Sequence, residues 1–273
     1  MVVGCCPARI ELMANEDDSE LERDAARLDT ALAYLQRRLK TRLDFPDEEV
    51  EAVAATMALL RTMVAQAEAI RLLAKSEFAE AGSSNLRTIF EAWCDLRAIL
   101  GDGDRNANGR RFRVFALLEF RDYIKSQVSE SDDQASELAD IENELEPYQR
   151  SHKDLVAQIE KEREKGAKLW SGKTRTAMLR ALDAAPTASG KTRPEDVPTL
   201  VQIFKVLSWE SHNILIGVLD VKIDTDEKGE TRLLFGHRQT QREAGAFNCA
   251  MAERMLGDSW MQVQRAFKIE SRG

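Results

Sequence analysis

Four side chains in this sequence are of types and at spacings that could do chemistry. Ser208 and His212 lie four residues apart in DVPTLVQIFKVLSWESHNILIGVLD, Asp196 to Asp220, so on a helix they share one face. A histidine takes or gives a proton near neutral pH. Arg87 and Glu91, in SSNLRTIFEAWCDLRAIL, have the same spacing. A guanidinium clamps a phosphate through two parallel bonds, and a carboxylate can orient either partner. Together these parts suit metal-independent RNA cleavage, in which a base activates the 2′-hydroxyl and a cation steadies the phosphorane. His212 would be the acid/base, Arg87 the clamp, and Glu91 and Ser208 the orienting groups. A serine hydrolase fits less well, because Ser208 falls mid-helix and not on an exposed strand-to-helix elbow.

These residues need elements that bring them together. The 196–220 segment reads as a helix apolar on nearly every face, which is normally buried, yet it carries Lys205, Ser208, His212 and Asn213. An unpartnered buried polar group costs about 1–3 kcal/mol, so these side chains should be paired inside the fold. On the Arg87 helix, Leu86, Ile89, Phe90, Trp93 and Leu100 form the core stripe. Arg87 and Glu91 sit one step around, on a line continued by Cys94 and Ala98, which suggests cover by another helix. Arginine before glutamate is also the weaker order for a surface pair. The pair is therefore expected to look inward, towards Ser208 and His212. A buried network that only fixes the helix arrangement is the alternative.

Composition bounds the reading. The chain has 273 residues, 43% hydrophobic and 32% charged, with few Gly and Pro. That favours a helix-rich protein. No stretch approaches the ~18–20 uninterrupted apolar residues of a membrane span, and MVVGCCPARIELMANEDD does not read as a secretory signal. A cytoplasmic protein without a membrane partner is expected. Cys5, Cys6, Cys94 and Cys249 match neither a zinc site nor a disulfide framework, and Cys94 reads as a small buried hydrophobe. No metal and no cofactor are expected. The tripeptides Gly172–Thr174 and Gly190–Thr192 lack the glycine that a phosphate-binding loop needs five residues earlier; Ala167 and Ala185 stand there.

The formal net charge is −8, but Lys165 to Arg193 holds seven basic residues against one acid, Asp183. Such a strip can steer an anionic ligand. Lys168, Lys173, Arg175 and Arg180 are its candidate nucleic-acid contacts, with RNA as the partner; an ordinary solvated surface is the alternative.

Along the chain, Ser19-x-x-Glu22 reads as a capping box opening a helix to about Leu43. A second helix follows Asp47, and a third ends near Gly101 after a pause around Gly82-Ser83-Ser84. GDGDRNANG is a loop, and a fourth helix spans about Arg110 to Ser129. From Asp132 to Lys165, Leu138, Ile141, Leu145, Tyr148, His152, Leu155 and Ile159 alternate spacings of three and four, the seam of a coiled coil. Pro147 should kink it. This arm would serve a homodimer or a protein partner, or pack back on its own bundle. His152 at the seam reads as structural. A short helix follows Gly172, and Thr192-x-x-Glu195 opens the central helix. VKIDTDEKGETRLLFG alternates and turns at Glu227-Lys228-Gly229, a small β-hairpin, before a last helix from about Gln239 to Lys268. The expected fold is all-α: a multi-helix bundle with a long coiled-coil-like helix and a small β-hairpin near the C-terminus. Residues 1–18 would be a flexible N-terminus and 19–273 a single helical domain, with 132–166 protruding.

Three motifs carry a resemblance: Arg87-Thr-Ile-Phe-Glu91, Trp170-Ser171-Gly172 and Ser208-Trp-Glu-Ser-His212. In this order the chain resembles a large, mostly prokaryotic family of helical proteins catalogued as a domain of unknown function, over roughly Glu68 to Gly236. The arrangement also looks like the wider HEPN group, which includes RNA-cleaving toxins and abortive-infection proteins; that likeness implies a role as a toxin or phage-defence effector. The group's signature is an arginine followed four to six residues later by a histidine, near a helix start. Arg232-Leu-Leu-Phe-Gly-His237 is its literal match, with leucine where a polar residue is usual. The competing reading is a non-catalytic interaction or scaffold module acting through the 132–165 helix.

Overall fold

The computed structural model describes residues 15–40, 45, 47–76, 78–101, 103–127, 132–184, 199–211, 221–225, 231–235 and 237–269. Among them the helices are α1 (Asn15–Lys40), α2 (Val50–Leu73), α3 (Gly82–Leu100), α4 (Arg105–Ser126), α5 (Asp132–Ser151), α6 (Lys153–Glu164), α7 (Arg175–Ala184), α8 (Leu200–Ser211) and α9 (His237–Phe267). The chain forms two compact units, one drawn from Met1–Arg42, Leu60–Trp93 and Gln202–Met261, the other from Leu43–Leu59, Cys94–Val201 and Gln262–Gly273.

In the first unit the apolar period of α1 buries Leu21, Leu28, Leu32 and Leu35. From α2 come Leu60, Met63, Ala67 and Ile70, from α3 Leu86, Ile89 and Phe90, and from α9 Cys249, Ala252 and Leu256, all buried. Two small residues allow close approach. A Cβ on Gly245 of α9 would lie 2.5 Å from the Ala74 carbonyl oxygen, and one on Gly82 would lie 3.0 Å from Asn248 Nδ2. Asn248 donates to the Ala79 carbonyl at 3.2 Å, and Trp260 Nε1 donates to Tyr34 Oη at 3.2 Å.

The second unit is organised around α4. Val114, Leu118 and Ile124 of α4 bury against Ile141, Leu145 and Tyr148 of α5 and Val156 and Ile159 of α6. The Asp104 carboxylate accepts from the Ala107 amide at 3.0 Å and caps α4. Two residues further on, Asn106 Oδ1 accepts the amides of Glu51 and Ala52 at 2.8 and 3.1 Å, satisfying two of the unpaired donors that every helix start leaves. Gly109 makes that crossing possible, because a Cβ there would stand 2.6 Å from the Ala52 backbone. Glu51 then accepts from Arg113 Nη1 at 2.8 Å and from Tyr148 Oη at 2.9 Å.

The expected fold stands as all-α and needs two corrections. In place of one protruding coiled helix, residues 132–164 form two helices, α5 and α6, and the expected seam faces α4. Alternating spacings of three and four also describe an ordinary bundle face, so the pattern could not say whether the partner was internal. The interruption falls at His152 (φ −136°, ψ 41°) and not at Pro147, which lies within α5. Pro147 and Asn143, four residues before it, are both exposed, so water can take the carbonyl that proline leaves unbonded. The second correction concerns the hairpin. No strand occurs among the residues whose side chains are described; Val221–Thr225 and Thr231–Phe235 carry an antiparallel backbone ladder alone. Strand alternation in a short segment encodes local pairing, and two strands are marginal by themselves.

Smaller differences follow the caps. Helix α1 begins at Asn15, so Ser19 is inside it. Helix α4 begins inside the expected glycine loop because Asp104 caps it. Helix α2 has the length and hydropathy of a membrane span, yet Ala52, Ala55, Leu60, Met63, Ala67 and Ile70 are at most 1% exposed, which is how a core helix uses such residues.

Two glycine substitutions test this packing. Gly109→Ala should destabilise by about 1–3 kcal/mol through overpacking and lower the thermal midpoint. Gly257→Ala, where a Cβ meets nothing within 4 Å inside α9, should stabilise by about 0.5–1 kcal/mol. Thermal melts followed by circular dichroism decide both, and an unchanged midpoint for Gly109→Ala would contradict the close crossing of α4 over Ala52.

Candidate functional site

Helix α8 lies against α3 through aromatic contacts. The ring of Phe90, fully buried, stacks on Phe204 at 6.4 Å between centroids and lies 5.8 Å from the Trp93 ring. Trp93 Nε1 donates to Asp258 Oδ2 at 2.7 Å. Arg87 continues the same face: its guanidinium carbon is 5.4 Å from the Phe204 ring centroid, and its Nε donates to Glu91 Oε1 at 3.1 Å. The two side chains keep 28% and 32% of their surface exposed. The Arg87 guanidinium is thus partly covered by the helix that carries Ser208. The Ser208 hydroxyl donates to the Phe204 carbonyl at 2.7 Å, a bond serines in helices commonly make to the preceding turn. His212 and Asn213 lie outside the described residues.

Helix α8 is less enclosed than its sequence suggested. Leu200 and Leu207 are buried, but Gln202 and Lys205 are exposed. An apolar composition sets how much of a helix can be covered, not how much is.

Around the Trp-Ser-Gly turn the geometry is tighter. Asp95 of α3, buried to 8% exposure, accepts from Trp170 Nε1 at 2.9 Å and from both Nη atoms of Arg175 at 2.9 and 3.3 Å. Arg111 Nε donates to the Trp170 carbonyl at 2.6 Å and its Nη2 pairs with Glu162. The Trp170 ring meets Phe112 edge-on at 6.0 Å. Gly172 has φ +67°, a left-handed conformation that glycine adopts without strain. Of the four expected nucleic-acid contacts, Lys168, Lys173 and Arg180 are exposed, whereas the Arg175 fork is engaged by Asp95. Asp183, the lone acid of the basic strip, accepts the Leu200 amide at 3.0 and 3.1 Å and so caps α8. Lys191 and Arg193 lie outside the described residues.

Sequence reasoning missed Asp95, Arg111 and Asp183. One signal called for an acceptor near the turn: a tryptophan needs a partner for its indole N–H when buried. The identity of that acceptor is a tertiary fact.

Among the described residues no three His, Cys, Asp or Glu side chains converge as a metal site. A cavity of about 400 Å³ is lined by Glu49, Leu100, Asp104, Arg105 and Asn106. Its polar groups are engaged: Asp104 and Asn106 cap helices, and Arg105 donates to the Ala266 carbonyl at 3.0 Å. Arg87, Glu91 and Ser208 are not among its lining residues. Burial works to raise the Asp122 carboxyl, but hydrogen bonds and charge from Arg121 and Arg163 together hold it below the ordinary value. Burial, aided by the Glu51 carboxylate, raises the Tyr148 hydroxyl. Cys94 and Cys249 are buried free thiols. Burial, with Asp24 and Asp29 nearby, pushes Cys249 up to about 11, so it is a poor nucleophile at neutral pH.

These features define a helical protein with a half-covered Arg–Glu pair on one helix and an anchored Trp-Ser-Gly turn. Residues 53–229 match the family of unknown function DUF5677, and the chain belongs to it. The matched span holds Arg87, Glu91, the Trp-Ser-Gly turn, Ser208 and His212, and leaves out α1 and α9. No curated protein and no solved structure matches the chain.

The raised Cys249 pKa carries a pH prediction. A thiol whose folded pKa exceeds its ordinary value of 9.0 contributes stability that is present below that value and lost as pH rises through about 11. In a variant with Cys5, Cys6 and Cys94 replaced by alanine, a disulfide reagent at mildly alkaline pH should label Cys249 slowly when folded and fast in denaturant. Equal rates would contradict its burial.

Proposed function

We propose that this protein is a HEPN-like, metal-independent ribonuclease, a cytoplasmic toxin or defence effector, with Arg87 as its phosphate clamp. The observation that carries the reading is the setting of Arg87. Its guanidinium is oriented by Glu91 on one side and by the Phe204 ring on the other, while over a quarter of the side chain remains open to solvent. A pre-oriented, accessible guanidinium is what stabilisation of a developing phosphorane charge requires. Ser208 stands one turn beyond Phe204 on the same helix, and His212 follows the last residue of α8 in sequence. In this reading His212 exchanges the proton and Glu91 and Ser208 orient it and the clamp. In the competing scaffold reading a partner would use a surface other than the 132–164 seam, which packs on α4.

The test is incubation of the protein with mixed cellular RNA in excess chelator. Wild type should cleave, and His212→Ala should lose about 10²–10⁴-fold in rate without a matching loss of thermal midpoint. Arg87→Ala should behave alike, while Arg87→Lys keeps the charge and loses the fork. Cleavage that survives His212→Ala but fails with His237→Ala would transfer the site to Arg232 and His237. Their backbones stand in the second ladder segment and at the start of α9. Absence of cleavage by wild type would refute the nuclease reading.

A further inference from the structure

We propose that the Trp-Ser-Gly turn and α7 form a fixed mount that presents Lys168, Lys173 and Arg180 to the phosphate backbone of single-stranded RNA. In this mount Asp95 is the positioning residue and Arg175 its lock. The proposal rests on the RNA reading above and adds how the strand is held.

Helix α7 is tied at both ends. Its first residue, Arg175, is forked onto Asp95, and Asp183, near its last turn, receives the Leu200 amide. The turn before it is tied twice more, by the Trp170 indole on Asp95 and by Arg111 on the Trp170 carbonyl. A side chain on Gly172 would press on Glu162 Oε2 at 3.0 Å, so the turn is closed on that side as well. Four ties on one turn and one ten-residue helix fix that segment, in addition to the burial of Met178 and Leu179. What the ties also hold are the exposed cations: Lys168 two residues before Trp170, Lys173 three after it, and Arg180 on α7. No acid occurs from Lys165 to Leu182, although the whole chain is acidic. Cations on a mount already ordered lose less freedom on binding than cations on a mobile loop. RNA phosphates neutralised by them release counterions, with a log–log salt slope of about −0.7 per contact on a single strand.

Arg175 is thereby assigned a different role from its neighbours. Three contacts give a slope of about −2, and four would give one near −3. The structure supports three, because the Arg175 fork is used by Asp95.

The experiment is fluorescence anisotropy of a labelled single-stranded RNA oligonucleotide across a salt series, with heparin as a second polyanion and no readout of cleavage. Wild type should bind with a slope near −2. The exposed triple variant Lys168→Gln, Lys173→Gln, Arg180→Gln should keep its thermal midpoint and lose nearly all salt-dependent binding. Asp95→Asn, measured where circular dichroism shows it folded, should bind at least tenfold more weakly with a shallower slope, and Asp95→Glu should recover part of both. A purely structural Asp95 would lower the midpoint and leave low-temperature affinity and slope unchanged. Unaltered binding by the triple variant, or by folded Asp95→Asn, would overturn the mount. Binding of heparin but not RNA would overturn RNA as the ligand. RNA binding through the three cations without any cleavage would support the mount and remove the nuclease reading.

Discussion

A carboxylate taken out of water is tolerated only when its lone pairs are matched, and Asp95 shows how strictly that constraint shapes the second unit. Its oxygens receive the Trp170 indole and the Arg175 fork. Two stretches distant in sequence, α3 and the segment that runs from the turn after α6 into α7, must therefore meet around one group. Loss of one partner from such a buried pair typically costs about 3–5 kcal/mol, because the other charge is left uncompensated. The turn follows from this: Trp170 enters the core to reach the acid, and Gly172 takes the left-handed backbone that brings the chain back out to α7.

The same logic operates at helix ends. The first amides of α2 are received by Asn106 of α4, and the first amide of α8 by Asp183 of α7. In each case a donor that the helix itself cannot satisfy is satisfied by a side chain from another element, so capping sets register between helices as well as ending them. Replacing such a cap typically costs about 0.5–2 kcal/mol. The Gly109 crossing depends on the same approach, since α4 can offer Asn106 to α2 only if its next turn lies almost on the Ala52 backbone.

This explains what could and could not be read from the sequence. The helices were legible because an apolar period of 3.6 is local information, and so was the i, i+4 pairing of Arg87 with Glu91. The destination of the 132–164 helices was not legible, since Leu145 and Ile159 have the same spacing whether the partner is another chain or α4. Caps misled where they were local guesses: Ser19 and Glu22 form a sound capping pattern that α1 runs straight through. The caps that matter, Asn106 and Asp183, belong to other elements. Asp95 was invisible for the same reason. An aspartate on a helix beside Cys94 and Leu96 states its burial only once Trp170 and Arg175 are known to reach it. Nor could the sequence show that each unit is built from three interleaved stretches, because no linker separates them.

The two polar centres differ in a way that bears on function. Arg87 and Glu91 are partly exposed, paired in the weaker order for an i, i+4 ion pair, and worth about 0.2–0.5 kcal/mol on that account. The Phe204 contact adds about 0.5–1 kcal/mol. The Phe90–Phe204 stack joins the same two helices. Asp95 is the reverse case, deeply enclosed and structurally expensive to disturb. Any effect of replacing Asp95 must therefore be separated from unfolding before it says anything about the basic turn that Asp95 anchors.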